Sequence, residues 1–140
     1  MKLFVDNLTN VDFSYLHPQR GLLGESWLVQ LVLDGNLNEQ GMICDFAIVK
    51  KAVKQWFDHC IDHALVVPTG MTNLKVSQTA DETAIIWQYT EAGDFCCSSP
   101  LQAMVLVDVE QVSETSLANW RTDEFVALLR TQANGAVTIF

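Results

Sequence analysis

Along the first sixteen residues apolar and polar positions alternate: Leu3 and Val5 fall on one side and Phe4 on the other, and Val11, Phe13 and Tyr15 then return at every second place. A period of two is that of a half-buried strand, so the pattern predicts a strand kinked at residues 7–10, where the alternation lapses. From Trp27 to Leu33 the near-continuous apolar run predicts a second strand, stopped by the turn signal Asp34-Gly35-Asn36. The segment 17–24 reads as the loop between them, making a long hairpin.

The period changes after Asp45, which is placed as a helix N-cap. Phe46, Val49, Val53, Trp56 or Phe57, and Cys60 recur at helical spacing, while Lys50, Lys51, Lys54 and Asp58 fall elsewhere, so an amphipathic helix is expected. Past Pro68-Thr69-Gly70, residues 74–79, 84–89 and 101–109 read as strands. From Ser113 the apolar stripe of Leu117, Trp120, Phe125, Leu128 and Leu129 is helical again, with Arg130 in its last turn and Asn134-Gly135 as its stop. Thr122-Asp123 is a signal for a second short helix within it, and residues 136–140 read as a closing strand.

Composition narrows the picture to one globular domain of 140 residues, 49% of them apolar. A chain of this length buries roughly two-thirds of its unfolded surface, so a metal here would be functional rather than a staple. Seventeen acidic against eight basic residues leave a formal charge of -9, which excludes nucleic-acid and anionic-membrane surfaces as natural partners, since both need a positive field. No apolar run approaches the ~20 residues that span a bilayer. Asp6 interrupts the N-terminus before a signal-peptide core forms, so a cytoplasmic protein is expected.

Candidate chemistry is sparse. Cys44, Cys60, Cys96 and Cys97 show no C-x-x-C spacing; Cys44 and Cys60 read as core residues and the Cys96-Cys97 pair as a surface or subunit contact. Of the three histidines, His59 reads as an exposed residue near the negative end of its helix. His63 follows Asp62, and such a pair can hold a catalytic tautomer if the fold turns the two side chains together. His17 opens the hairpin loop.

The order of these segments adds a further reading. Phe13-Ser14-Tyr15-Leu16-His17, then Gly41-Met42-Ile43-Cys44-Asp45-Phe46 at the helix start, then Ile61-Asp62-His63 at its end, resemble the 6-pyruvoyltetrahydropterin synthase and 6-carboxytetrahydropterin synthase family over residues 1–68. Residues 112–120 resemble the entry to that family's second helix, beyond an insertion at about 69–111. The resemblance implies an α+β tunnelling fold: an antiparallel sheet with two helices on one face, plus a β-rich insertion, in subunits joined edge to edge as a homo-oligomer. It also implies a pterin-like ligand and a lyase acting on dihydroneopterin triphosphate, with Asp62 and His63 as the catalytic pair.

The family's zinc is held by a histidine matching His17 and by a His-Gly-His, which stands here as Leu23-Gly24-Glu25. The resemblance therefore leaves His17 and Glu25 as metal ligands, completed by Asp12, a water or another subunit. The family's thiol base has no counterpart among residues 18–22. Its pterin-clamping glutamate follows the third strand, where this sequence ends. Either the chain continues, or Glu82, Glu91 or Glu110 of the insertion substitutes. A non-catalytic pterin- or purine-binding oligomer of the same fold is the alternative.

Overall fold

A computed structural model describes residues 1–91, 93–130 and 135–139. Strands β1 (Lys2–His17) and β2 (Gly21–Gly35) form the long hairpin, α1 spans Phe46–Cys60, and β3 (Leu65–Pro68) follows. A three-stranded meander comes next, β4 (Leu74–Gln78), β5 (Glu82–Thr90) and β6 (Gly93–Pro100). A short 3-10 turn at Leu101–Ala103 leads into β7 (Met104–Val107), then α2 (Glu114–Asn119), α3 (Thr122–Arg130) and β8 (Gly135–Ile139). The expected Asn134 stop and terminal Phe140 lie outside the described residues.

The main sheet runs β7-β3-β1-β2-β8, and β4-β5-β6 form a second sheet. The α+β architecture is the expected one, but the main sheet is mixed: β1, β2 and β8 pair antiparallel, whereas β3 lies parallel to β1 and β7 parallel to β3. The cause is α1, which carries the chain back along the sheet so that β3 sets out in the direction of β1. Of the insertion expected at 69–111, the meander leaves the main sheet and β7 rejoins it.

The kink in β1 is a bulge. Val5 pairs with Leu31 and Thr9 with Val29, so the β1 segment carries two extra residues, and Asn7 absorbs them at φ 50. The change of phase keeps Val5, Leu8, Val11, Phe13 and Tyr15 all buried. The hairpin loop is shorter than 17–24: β2 begins at Gly21, where φ of 81 suits glycine, and Leu23, Gly24 and Glu25 are paired strand residues.

Asp45 caps α1, its carboxylate accepting from the N–H groups of Ala47 and Ile48 at 3.0 and 3.3 Å. Val49, Val53 and Cys60 turn inward as the spacing requires, while Phe46 remains 46% exposed because it sits in the first turn, beyond the sheet. Ser113 caps α2 in a reciprocal pair with Ser116, and Arg121, at φ 51, separates α2 from α3. Helices cover one face through Val5, Leu31, Val49, Val53 and Phe125 and, further along, Phe13, Tyr15 and Val66. The meander covers the other face, with Ile85 and Trp87 against Leu16, Val67 and Met104. Burying each such side chain contributes about 1.5–3 kcal/mol. Among the described residues no helix is long and apolar enough to cross a membrane.

Candidate active site

Where α1 ends, the chain makes a tight turn before β3. Ile61 and Asp62 donate their N–H groups to Phe57 O, both at 3.0 Å, and His63 takes φ of 61, a conformation non-glycine residues seldom adopt. That turn is held against β1 from both sides: the His63 N–H donates to Asp12 O at 2.7 Å, and the Asp12 N–H donates to Asp62 Oδ1 at 2.9 Å. Asp62 Oδ2 is thereby placed 3.2 Å from His63 Nε2. The imidazole is 77% exposed and the carboxylate 18%, so the fold turns the two side chains together with the acid sheltered and the histidine presented to solvent.

Asp12 has a second connection, its Oδ1 accepting from Ser26 Oγ across the hairpin. Asp12, Asp62 and His63 each bring a ligand-type atom to within 4.8 Å of the others. This contribution of Asp12 through its main chain escapes sequence reading. Fifty positions separate it from Asp62, and a backbone N–H has no residue signature.

His17 and Glu25 are placed otherwise. His17 pairs with Gly21 and Glu25 with Phe13, so four residues of strand, about 13 Å, separate their backbone positions. His17 Nδ1 accepts from the N–H groups of Gln19 and Arg20, each at 3.1 Å, and Nε2 lies 3.4 Å from the Gln111 side-chain amide. Both Glu25 oxygens accept hydrogen bonds, from Tyr15 Oη at 3.0 Å and from Trp27 Nε1. Burial, then the Glu25 hydrogen bond and charge, push the Tyr15 phenol above its ordinary range, so it stays a donor. Leu23 has no ligand atom. These residues do not fit a zinc held by His17 and Glu25 alone.

The three glutamates of the insertion are dispersed. Glu82 accepts from Ser98 Oγ within the meander, Glu91 is exposed at its second turn, and Glu110 borders a polar recess of about 400 Å³ beside the hairpin turn, shared with Asn73, Gln88 and Gln111. Tyr89 Oη donates to Gln19 O at 2.7 Å and fastens the meander to that turn. A larger cleft of about 460 Å³ opens between β2 and the helices, walled by Phe13, Trp27, Trp56 and Trp120. Ser26 and Ile61, the neighbours of Asp12 and Asp62, also line it.

Burial raises the thiols of Cys44 and Cys60 above their usual range, so these cysteines are protonated core groups. Cys96 is exposed on the meander. His59, in the last turn of α1, is exposed as expected.

Comparison with known proteins bears on the fold and the family. Solved structures of 6-pyruvoyltetrahydropterin synthase from Plasmodium vivax (TM-score 0.72, 20% identity) and Plasmodium falciparum (TM-score 0.70, 18% identity) each superpose over 95% of this chain and 85% of their own. At such identity the likeness speaks for the fold. A Pyrococcus horikoshii protein named "Putative 6-carboxy-5,6,7,8-tetrahydropterin synthase" is 26% identical over 110 residues, 79% of this chain, which spans 61% of that relative's length. A family model described as 6-pyruvoyl tetrahydropterin synthase matches residues 8–123, a stretch containing most of the hairpin, α1 and the Asp62–His63 turn. On that match, the chain belongs to the 6-pyruvoyl tetrahydropterin synthase family.

Proposed function

We propose that the protein is a pterin-handling lyase of the dihydroneopterin triphosphate type, in which His63 moves the proton and Asp62 positions it. The supporting observation is the turn at residues 61–63, whose main-chain bonds to Asp12 set Asp62 Oδ2 against His63 Nε2. With Nε2–H directed to the carboxylate, Nδ1 is the basic nitrogen, open to a substrate proton. A flat, polar-edged pterin suits the aromatic cleft lined by Ser26 and Ile61.

Zinc in this family acts as a Lewis acid on a substrate oxygen when bound. His17, Leu23 and Glu25 do not supply its donors here, so no step is routed through it. That same misfit favours a second reading, a pterin- or purine-binding oligomer without chemistry. The β2 edge at residues 21–30 has no strand partner opposite β1 among the described residues, which supports subunits joining there as a homo-oligomer.

The test is turnover of dihydroneopterin triphosphate by the wild-type chain and by His63→Ala. Loss of about 10²–10⁴-fold in the variant is the result expected for removal of a general acid-base. Equal turnover in both sinks the lyase reading. Absent turnover in the wild type, together with saturable pterin binding, transfers the assignment to the binding protein.

A further inference from the structure

We infer that the polar recess between the meander and the hairpin turn binds a neutral polyol of monosaccharide size. Neither Asp62 nor His63 lines it, so it is a second site beyond the lyase reading. Four segments distant in sequence enclose it: the hairpin turn, the loop after β3, the end of β5 and the loop after β7. Main-chain bonds fix these walls to one another. The Gly70 N–H donates to Val109 O at 3.0 Å, and the two loops run so close that a Cβ on Gly70 would stand 3.0 Å from Val109 O and 3.2 Å from Glu110 N. Asn73 O accepts the Gln88 N–H at 3.0 Å, which ties the loop after β3 to β5, and the Tyr89 bond to Gln19 O ties β5 to the hairpin turn. A recess held in this way pays little ordering cost when a small ligand enters.

The lining decides the class of ligand. Among the described residues the side chains of Asn73, Gln88 and Glu110 make no hydrogen bond and Glu110 no ion pair, while the Gln111 amide lies 3.4 Å from His17 Nε2. Three carboxamides each offer donors and an acceptor, and the carboxylate adds acceptors. Hydroxyl groups also both donate and accept, so a polyol can satisfy the whole set. A guanidinium or ammonium has donors only and would leave the carboxamide N–H groups unpaired. No Lys or Arg lines the recess, and the Glu110 charge in a chain of formal charge -9 repels phosphates and carboxylates. Tyr89, 38% exposed, and Trp87, its ring centroid 4.8 Å away, offer an apolar wall to the C–H face of such a ligand. The volume of about 400 Å³ lies at the low end of the roughly 300–1,000 Å³ of small-molecule clefts.

Saturation-transfer NMR of the full chain with D-glucose, D-ribose and myo-inositol, each at millimolar concentration, tests this. Saturable transfer to at least one of the three is expected, with affinity lowered about tenfold in Glu110→Ala and in Gln88→Ala and unchanged in His63→Ala. Glucose 6-phosphate should bind about tenfold more weakly than glucose. Glu110 and Gln88 are exposed, so both substitutions spare the fold, and unaltered far-ultraviolet circular dichroism confirms that. No transfer to any of the three overturns the inference, and so does wild-type affinity in both Glu110→Ala and Gln88→Ala. Glucose 6-phosphate bound as tightly as glucose overturns the neutral class of ligand. Because no pterin enters the assay, failure here is separable from failure of the lyase reading.

Discussion

Two places near the turn end of the hairpin carry the residues of interest, and they were assembled in opposite ways. At the Asp62–His63 turn, the side chains are brought together by two bonds to the Asp12 main chain, one from the His63 N–H and one accepted by the Asp62 carboxylate. At His17 and Glu25, each side chain is tied to its own surroundings, His17 to the turn behind it and Glu25 to Tyr15 and Trp27. The first pair is fixed to a distant strand, whereas the second pair is fixed only to its own surroundings.

The largest effect expected on this contrast comes from His63→Gly. Glycine accepts φ of 61 without the roughly 1–2 kcal/mol that a side chain costs in the left-handed region. The variant should therefore lose turnover as fully as His63→Ala while denaturing at an equal or higher urea midpoint than wild type. A lower midpoint would make His63 a structural residue.

Asp62→Ala removes the acceptor for the Asp12 N–H and should cost about 1–3 kcal/mol in urea denaturation, the penalty of an orphaned donor. Wild-type stability in that variant would mean that the turn does not rely on Asp62. The corresponding break in the other region, Tyr15→Phe, should cost about 1 kcal/mol, because Glu25 retains its bond from Trp27.

A pH effect distinguishes the two regions more finely. The Tyr15 phenol is raised in the folded state, by burial first and Glu25 second, so its contribution to stability is complete below the unfolded value of 10.0 and is lost as pH rises through the folded value. Glu25→Gln should move the Tyr15 ionisation downward in an ultraviolet phenolate titration. An unmoved midpoint would detach Tyr15 from Glu25. The smallest effect is chemical: iodoacetamide at pH 8 should modify exposed Cys96 before Cys44 and Cys60, whose thiols burial keeps protonated, as peptide mass spectrometry would show.

Much of the fold was legible because periodicity is a local property. The strand pattern of β1, the cap and inward face of α1, and the division of the last helical stretch at Thr122-Asp123 all follow from residues within a few positions of one another. Other elements escaped for physical reasons. β3 is four residues long, too short for a period to register. β6 alternates Phe95, Cys97 and Ser99 inward, a face of small and polar side chains with little hydrophobic contrast. β2 begins six residues before the Trp27 start that the apolar run predicts, because Gly21 closes the turn and Leu22 to Ser26 mix apolar, small and charged types.

The hairpin, the amphipathic helix and the adjacency of Asp62 to His63 are each encoded in neighbouring residues. The parallel course of β3 and β7, the clamp of Asp12 on the Asp62–His63 turn and the separation of His17 from Glu25 come from packing. The reason is that strand direction, register and main-chain hydrogen bonds between distant segments are set by how whole elements pack, and no single residue type records them.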